Sequence, residues 1–443
     1  MVSNSGLRIA WFSDLSIGRP ESLSTYCSRL LLPYLSKQHQ IEVFSDLALV
    51  DNSRDAFNLP YYNYLKAYQR HAERPFDLFF YQLEDSRACR FIRGHIGLIP
   101  GVVWMHDLFC NDLGPEACHT SPWELTIEQF YDPKLDFADR LKAPHQLWPR
   151  AFRETSLSPV TLFSSRWALN EFSRMVCNRL ESPSGSHRSE VLEVPIDLPV
   201  DPVNREDRQK ELFTISTLSV PGIEGRMHKA LPVLRELCFP WKLVWMLDHS
   251  ERERAAQLIQ EFGISEDKIT FLFSREDNVW SDVVSESDVA LHLHTSPFGH
   301  LAPFIQRSLL AGCPSAVALS AQGEDFPSDV VFGVTPGTHE SMQLRLILEA
   351  LARSPVGGVA LAGESYARST FSAELVAEKL SGLLTESAPD LSYVMDRWNS
   401  IRKRAQRQLV SEVRGLAAGL EDDFIGVSER VINPALAELG WDF

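Results

Sequence analysis

His106 and Asp107 follow directly on the apolar run Val102-Val103-Trp104-Met105. Such a run reads as a strand covered on both faces, and open α/β sheets bind ligands beyond the carboxyl ends of strands of this kind. There the His106 imidazole can hydrogen-bond a substrate hydroxyl or carbonyl, so the pair is the candidate catalytic set. The same pair can equally cap the strand and only hold its loop, and both roles stand open.

Three further segments have the composition to meet an anion. Gly222-Ile223-Glu224-Gly225-Arg226-Met227-His228-Lys229 sets two cations, Arg226 and Lys229, beside two glycines ahead of a helical pattern. That suits a diphosphate, and a solvated loop is its plain alternative. Ser296-Pro297-Phe298-Gly299-His300-Leu301-Ala302-Pro303 follows an apolar strand and opens a helix, whose first amides point outward by the helix dipole. The turn Ser13-Asp14-Leu15-Ser16-Ile17-Gly18-Arg19 presents backbone N–H groups in the same way. It lacks the spacing GxGxxG, so the dinucleotide fingerprint is missing.

These segments need a scaffold that places strand ends together. Leu7–Phe12 reads as a first strand, 22–36 as a helix with one apolar face, and 41–44 as a second strand, a βαβ unit. Further strands are expected at 78–82, 102–105, 160–163 and 191–194. After a proline-marked linker at 195–208, more are expected at 213–217, 242–246, 269–273, 289–293 and 315–319. Helical patterns intervene at 229–237, 251–262, 279–285 and 302–311. The alternation predicts an α/β chain of two Rossmann-like domains, 1–200 and 201–385, with a helical segment at 386–443. Residues 111–150, rich in proline and aromatics, read as an insertion.

With 443 residues, 44% of them hydrophobic and 23% charged, the chain can bury two cores. A formal net charge of −16 repels phosphate backbones and argues against nucleic acid as a partner. Seven dispersed cysteines without CxxC pairs predict neither a disulfide framework nor a zinc site. With no signal-peptide core and no apolar run of membrane-spanning length, a cytoplasmic location is expected.

Leu7–Asp46 and the His-Asp-Leu at 106–108 resemble the corresponding parts of bacterial family 4 glycosyltransferases, retaining enzymes of GT-B fold. Ser287-Asp288-Val289-Ala290-Leu291, the glycine loop and Leu309–Pro314 are similar to that family's donor-site strand, loop and helix. Arg226-Met227-His228-Lys229-Ala230-Leu231 joins the same pattern, and the likeness runs over about 300 residues in order. The resemblance implies two Rossmann-like domains facing across a cleft, with a nucleotide-diphospho-sugar in the second and an acceptor in the first. That acceptor is a glycan, a lipid-linked molecule or a protein, and the transfer is metal-independent, retaining and without a cofactor. It sets Ser274, Arg275 and the helix from Ala302 against base and ribose. It sets Gly222–Arg226 and the backbone of Phe298, Gly299, His300 and Leu301 near the diphosphate. His106, with the loop at Gly18 and Arg19, would face the reacting sugar.

The chain departs from the family at the donor end. Counting back from Gly312, the places of two glutamates eight residues apart hold Gly299 and Arg307, and Gly225 stands at the usual lysine. Two readings follow. Arg226, Lys229 or Arg307 substitutes, with His300 on the sugar; or the chain is a non-catalytic subunit that binds a partner glycosyltransferase. An epimerase on the same fold is disfavoured, since no carboxylate pair suits ring chemistry. The basic stretch Arg397–Arg414 offers peripheral contact with anionic lipid at the inner face of a membrane, although nearby acids make a solvated helix face the plainer reading.

Overall fold

The computed structural model describes residues 6–15, 22–46, 58–108, 158–177, 188–198, 212–274, 277–295, 302–353 and 357–389, with 155, 395–396 and 399. The insertion at 111–150 and, apart from residue 399, the basic stretch 397–414 lie outside them.

Seven strands form the first sheet: β1 (Arg8–Phe12), β2 (Gln40–Ser45), β3 (Tyr61–Asn63), β4 (Leu78–Leu83), β5 (Val102–Met105), β6 (Val160–Phe163) and β7 (Arg188–Val191). All are parallel, in the order β3-β2-β1-β4-β5-β6-β7. Every residue of β1, β4, β5 and β6 is buried, as parallel strands with both faces covered require. Alternate residues feed two cores. Phe12, Phe79 and Tyr81 face one side; Trp11, Phe80 and Trp104 face the other, where Trp11 stacks on Phe80 with ring centroids 4.3 Å apart.

The second sheet holds β8 (Phe213–Thr217), β9 (Trp241–Met246), β10 (Ile269–Leu272), β11 (Val289–His292), β12 (Ser315–Ala318) and β13 (Phe332–Val334). It is also wholly parallel, in the order β10-β9-β8-β11-β12-β13. Each sheet therefore reverses its winding at one place, between β1 and β4 in the first and between β8 and β11 in the second. Adjacent loops diverge there and leave a crevice beyond the strand ends, which is where such sheets take ligands.

The expected strand at 191–194 lies instead at Arg188–Val191, because β7 pairs with β6 from Val160↔Arg188 to Phe163↔Val191. Leu192 and Val194 are apolar for another reason: they pack under the helix Ala373–Ser387. That helix falls within the 201–385 span by sequence, yet Ala373, Val376, Leu380 and Leu384 are buried in the first sheet's core. The chain crosses back at Ser372, which bridges Ile196 and caps the helix. His39 meets Ser381 at 2.8 Å, and Arg188 meets Glu386 at 2.8 Å, along the same seam.

A candidate ligand site at the two switch points

In the first domain β1 runs into Ser13 and Asp14, and β4 into Glu84. The helix Leu23–Leu35 begins just above them. Its first amides are already occupied. Ser22 Oγ accepts from Thr25 N at 3.1 Å, and the Glu84 carboxyl accepts from Leu23 N at 3.0 Å and Ser24 N at 3.4 Å. A built-in carboxyl thus takes the place that an external anion takes at an uncapped helix start. Burial pushes the Glu84 pKa up to about 8, and Asp107 and Asp14 push the same way, against the amides of Ser24 and Leu23. At neutral pH Glu84 holds a proton, as a buried acid among like charges should.

His106 lies just past β5 and is buried, with both ring nitrogens engaged. Nε2 is 2.9 Å from Gln82 Oε1 and Nδ1 is 3.0 Å from Ser164 Oγ. Burial drives its pKa down to about 3, so the ring is neutral. The amide oxygen of Gln82 only accepts, which assigns the proton to Nε2 and makes Ser164 the donor to Nδ1. Gln82 then donates to Ser28 Oγ at 2.7 Å, Ser28 to Ser13 Oγ at 3.0 Å, and Ser13 to the carbonyl of Asp14 at 3.3 Å. Trp11 Nε1 joins at Ser28, 3.0 Å away. One directed chain of hydrogen bonds therefore runs across the crest of the sheet, from the end of β6 to the turn after β1. Asp107 accepts from Asp85 N at 2.8 Å and so ties the ends of β4 and β5.

In the second domain the turn after β8 closes tightly on itself. A Cβ on Gly225 would lie 1.9 Å from the carbonyl oxygen of Val220, so only glycine fits. Arg226 follows in the left-handed region at φ 54°. Its Nε donates to Glu340 Oε1 at 2.7 Å and its Nη2 to Glu340 Oε2, a bidentate pair on a carboxylate that is 1% exposed. The pair fastens the turn to the helix Glu340–Arg353 and balances the arginine's charge within the domain. Lys229, partly buried, enters the helix Met227–Arg235, where its carbonyl accepts from Ser341 Oγ at 3.3 Å. Beyond β11, Thr295 N donates to the carbonyl of Glu224 at 3.2 Å. The sequence-marked segment 222–229 is thereby tied to the residue that precedes the second one, 296–303, of which only Ala302 and Pro303 are among the described residues.

His292 closes β11 as His106 follows β5. It is buried, its Nε2 is 3.0 Å from Ser308 Oγ, and burial first, with His294 second, lowers its pKa to about 3. Trp280 Nε1 meets the same serine at 3.2 Å. Ser274 lies just past β10, next to Phe273, whose ring is 41% exposed between His249 and Arg252. Arg307, on the helix Ala302–Leu310, donates to Ser281 Oγ at 3.4 Å and to Tyr26 Oη of the first domain at 3.2 Å. Gly18, Arg19, Arg275, Phe298, Gly299, His300 and Leu301 lie outside the described residues.

Sequence reasoning passed over Glu84, Gln82, Ser28, Ser164 and Glu340. Gln82 carried a signal, a lone amide in the apolar run Leu78–Leu83. Glu340 carried none, since only the fold brings it to Arg226. Among the described residues no group of three or more metal-ligating side chains is gathered, and no single helix is long and apolar enough to cross a membrane.

No family model and no curated protein matches the chain. Solved structures do. HepE of Anabaena, in complex with UDP and glucose, is 16% identical with a TM-score of 0.59, over 86% of this chain and 100% of HepE. Sucrose-phosphate synthase of Thermosynechococcus elongatus is 14% identical with a TM-score of 0.56, over 85% of this chain and 98% of its own. A glycosyltransferase of Rickettsia africae is 10% identical with a TM-score of 0.60, over 86% and 98%. The fold is the GT-B fold of these glycosyltransferases, over most of the chain.

Proposed function

We propose that the chain is a glycosyltransferase, moving a sugar from a nucleotide-diphospho-sugar to a glycan, lipid-linked or protein acceptor with retention and without a metal. The observation that carries this reading is the pair of switch points, each closing a parallel sheet, in a fold that HepE uses with UDP-glucose bound. The second domain takes the nucleotide, with the base against Phe273, Ser274 and Arg275. The diphosphate lies at the turn Gly222–Arg226 and the backbone of 298–301, with Lys229 the nearby cation. Developing charge on the leaving diphosphate is met by amides and cations there, the term that dominates such transfers. The acceptor lies over the crest of the first sheet, at Asp14 and Asp107. His106, neutral and held at both nitrogens, acts from behind as the residue that fixes those strand ends.

A titration of the full chain with a panel of nucleotide sugars, read by thermal shift and donor hydrolysis, tests this. The expected result is saturable stabilisation by one UDP- or related sugar, with slow hydrolysis that EDTA leaves unchanged. No shift with any donor would sink the enzyme reading. A second reading has its own observation: Gly299 and Arg307 stand where the family has glutamates, and Glu340 occupies Arg226. On that reading the chain is a non-catalytic subunit, and it stabilises a partner transferase while binding no donor.

A further inference from the structure

We infer that Arg307 is a positioning residue that straps the two domains together, rather than a ligand for the nucleotide. The helix Ala302–Leu310 follows β11, and the helix Leu23–Leu35 follows β1. Both strands adjoin a switch point, so these are the elements that border the two halves of the site. Arg307 joins them directly. Its Nη2 is 3.2 Å from the hydroxyl of Tyr26, its guanidinium lies 5.8 Å from that ring's centroid, and Nη1 is anchored at Ser281 Oγ, 3.4 Å away. Tyr26 is itself 4% exposed and carries Arg29 over its ring at 5.4 Å, so it is a fixed post rather than a surface side chain.

The chemistry favours the strap. A guanidinium only donates, and its planar fork reaches a hydroxyl and a ring face at once. A glutamate at 307 would have a shorter reach, could only accept from the Tyr26 hydroxyl when ionised, and would carry no cation to the ring face. Other polar contacts between the domains are placed differently: Asp325 accepts from Trp167 N at 2.9 Å, between elements that follow β12 and β6, toward the flanks of the sheets, and Ile196 N donates to the carbonyl of Phe371 at 2.7 Å, where the chain crosses back. The Asp325 contact fixes the flanks, whereas Arg307 sets the separation where donor and acceptor would meet.

The inference leans on the proposed function only for what that separation serves. Small-angle scattering and calorimetric titration with UDP on the full chain, as wild type, Arg307→Ala, Arg307→Lys and Tyr26→Phe, test both parts separately. Arg307→Ala and Tyr26→Phe are each expected to enlarge the radius of gyration beyond error, while UDP affinity stays within about threefold of wild type. If turnover is measurable, kcat falls about tenfold in both, with the donor KM little changed. Tyr26→Phe removes one hydroxyl and keeps the packing, so it reports even where Arg307→Ala fails to fold. An unchanged radius in Tyr26→Phe overturns the strap. So does a tenfold loss of UDP affinity in Arg307→Lys that Tyr26→Phe does not share, which would make Arg307 a ligand. If wild type binds no UDP, the titration is repeated with the nucleotide that the donor panel selects; if it selects none, the nucleotide reading fails while the scattering result still decides the strap.

Discussion

The crests of the two sheets solve the same problem in different ways. Above the first sheet, buried polar groups satisfy one another: Ser164, His106, Gln82, Ser28 and Ser13 form a chain, and Glu84 and Ser22 cap the helix. Above the second, separate local contacts hold the turns: the ion pair of Arg226 and Glu340, Ser308 shared by His292 and Trp280, and Ser219, which meets Thr217 Oγ1 at 3.0 Å and, through its carbonyl, Trp245 Nε1 at 2.6 Å. A satisfied network rigidifies the strand ends it crosses and is costly to break in part. The first domain is therefore the preset half of the site. The second is held by separate contacts that form no continuous chain among the described residues, and there the turn after β8 meets the end of β11 through Thr295 N and the carbonyl of Glu224.

The largest effect that sharpens this contrast is His106→Ala. It leaves Gln82 Oε1 without its donor and Ser164 Oγ without its acceptor in the ring, and opens a cavity, at an expected cost of about 3–4 kcal/mol in urea unfolding. His292→Ala breaks a smaller cluster and should cost about 2 kcal/mol, and an equal loss in the two would erase the contrast. Next is Glu340→Gln, which strips the charge from a buried pair and should cost about 2–3 kcal/mol while weakening binding of any diphosphate at the turn. Differential scanning with and without UDP measures both parts, and a silent variant would show that the turn needs no anchor.

A smaller effect depends on pH. The folded chain holds a proton on Glu84 up to about pH 8, whereas an unfolded carboxyl loses it near 4.5. The Glu84 contribution to stability therefore falls as pH rises between those values, by at most about 1.4 kcal/mol per pH unit. The lowered histidines, His39, His71, His95, His106, His228 and His292, act oppositely, adding stability as pH rises toward 6.5 and nothing further above it. From pH 7 to 8 the downward slope should belong to Glu84, and Glu84→Gln should flatten it. Smallest is Ser22→Ala, which removes the cap on the helix Leu23–Leu35 at about 1 kcal/mol. Because Glu84 still holds two of the amides, a loss well above that would assign the helix start to Ser22 alone.

Much of the scaffold was readable from residue order. Strands at 78–83, 102–105 and 289–292 lie where runs made almost wholly of apolar residues predicted them, because parallel strands covered on both faces are mostly apolar. The three-residue strands β3 and β13 gave too short a signal, and β7 is half exposed, so its apolar neighbours drew attention away from it. The sequence could single out candidate residues at a strand end, His106 and Asp107, or at a helix start, Arg226. Their partners were not, since Gln82, Ser164 and Glu340 come from separate elements.

The sequence alone determined where most of the strands lie, that they alternate with helices, and which residue types stand at those strand ends. Periodicity and burial demand act locally, so residue order records them. Only the tertiary structure decided that Glu84 caps a helix it does not belong to, that Arg226 is spoken for by Glu340, and that Arg307 faces Tyr26. Those pairings join residues from 61 to 281 positions apart. A side chain's charge is written in the sequence, whereas what balances it depends on which strands and helices the fold sets side by side.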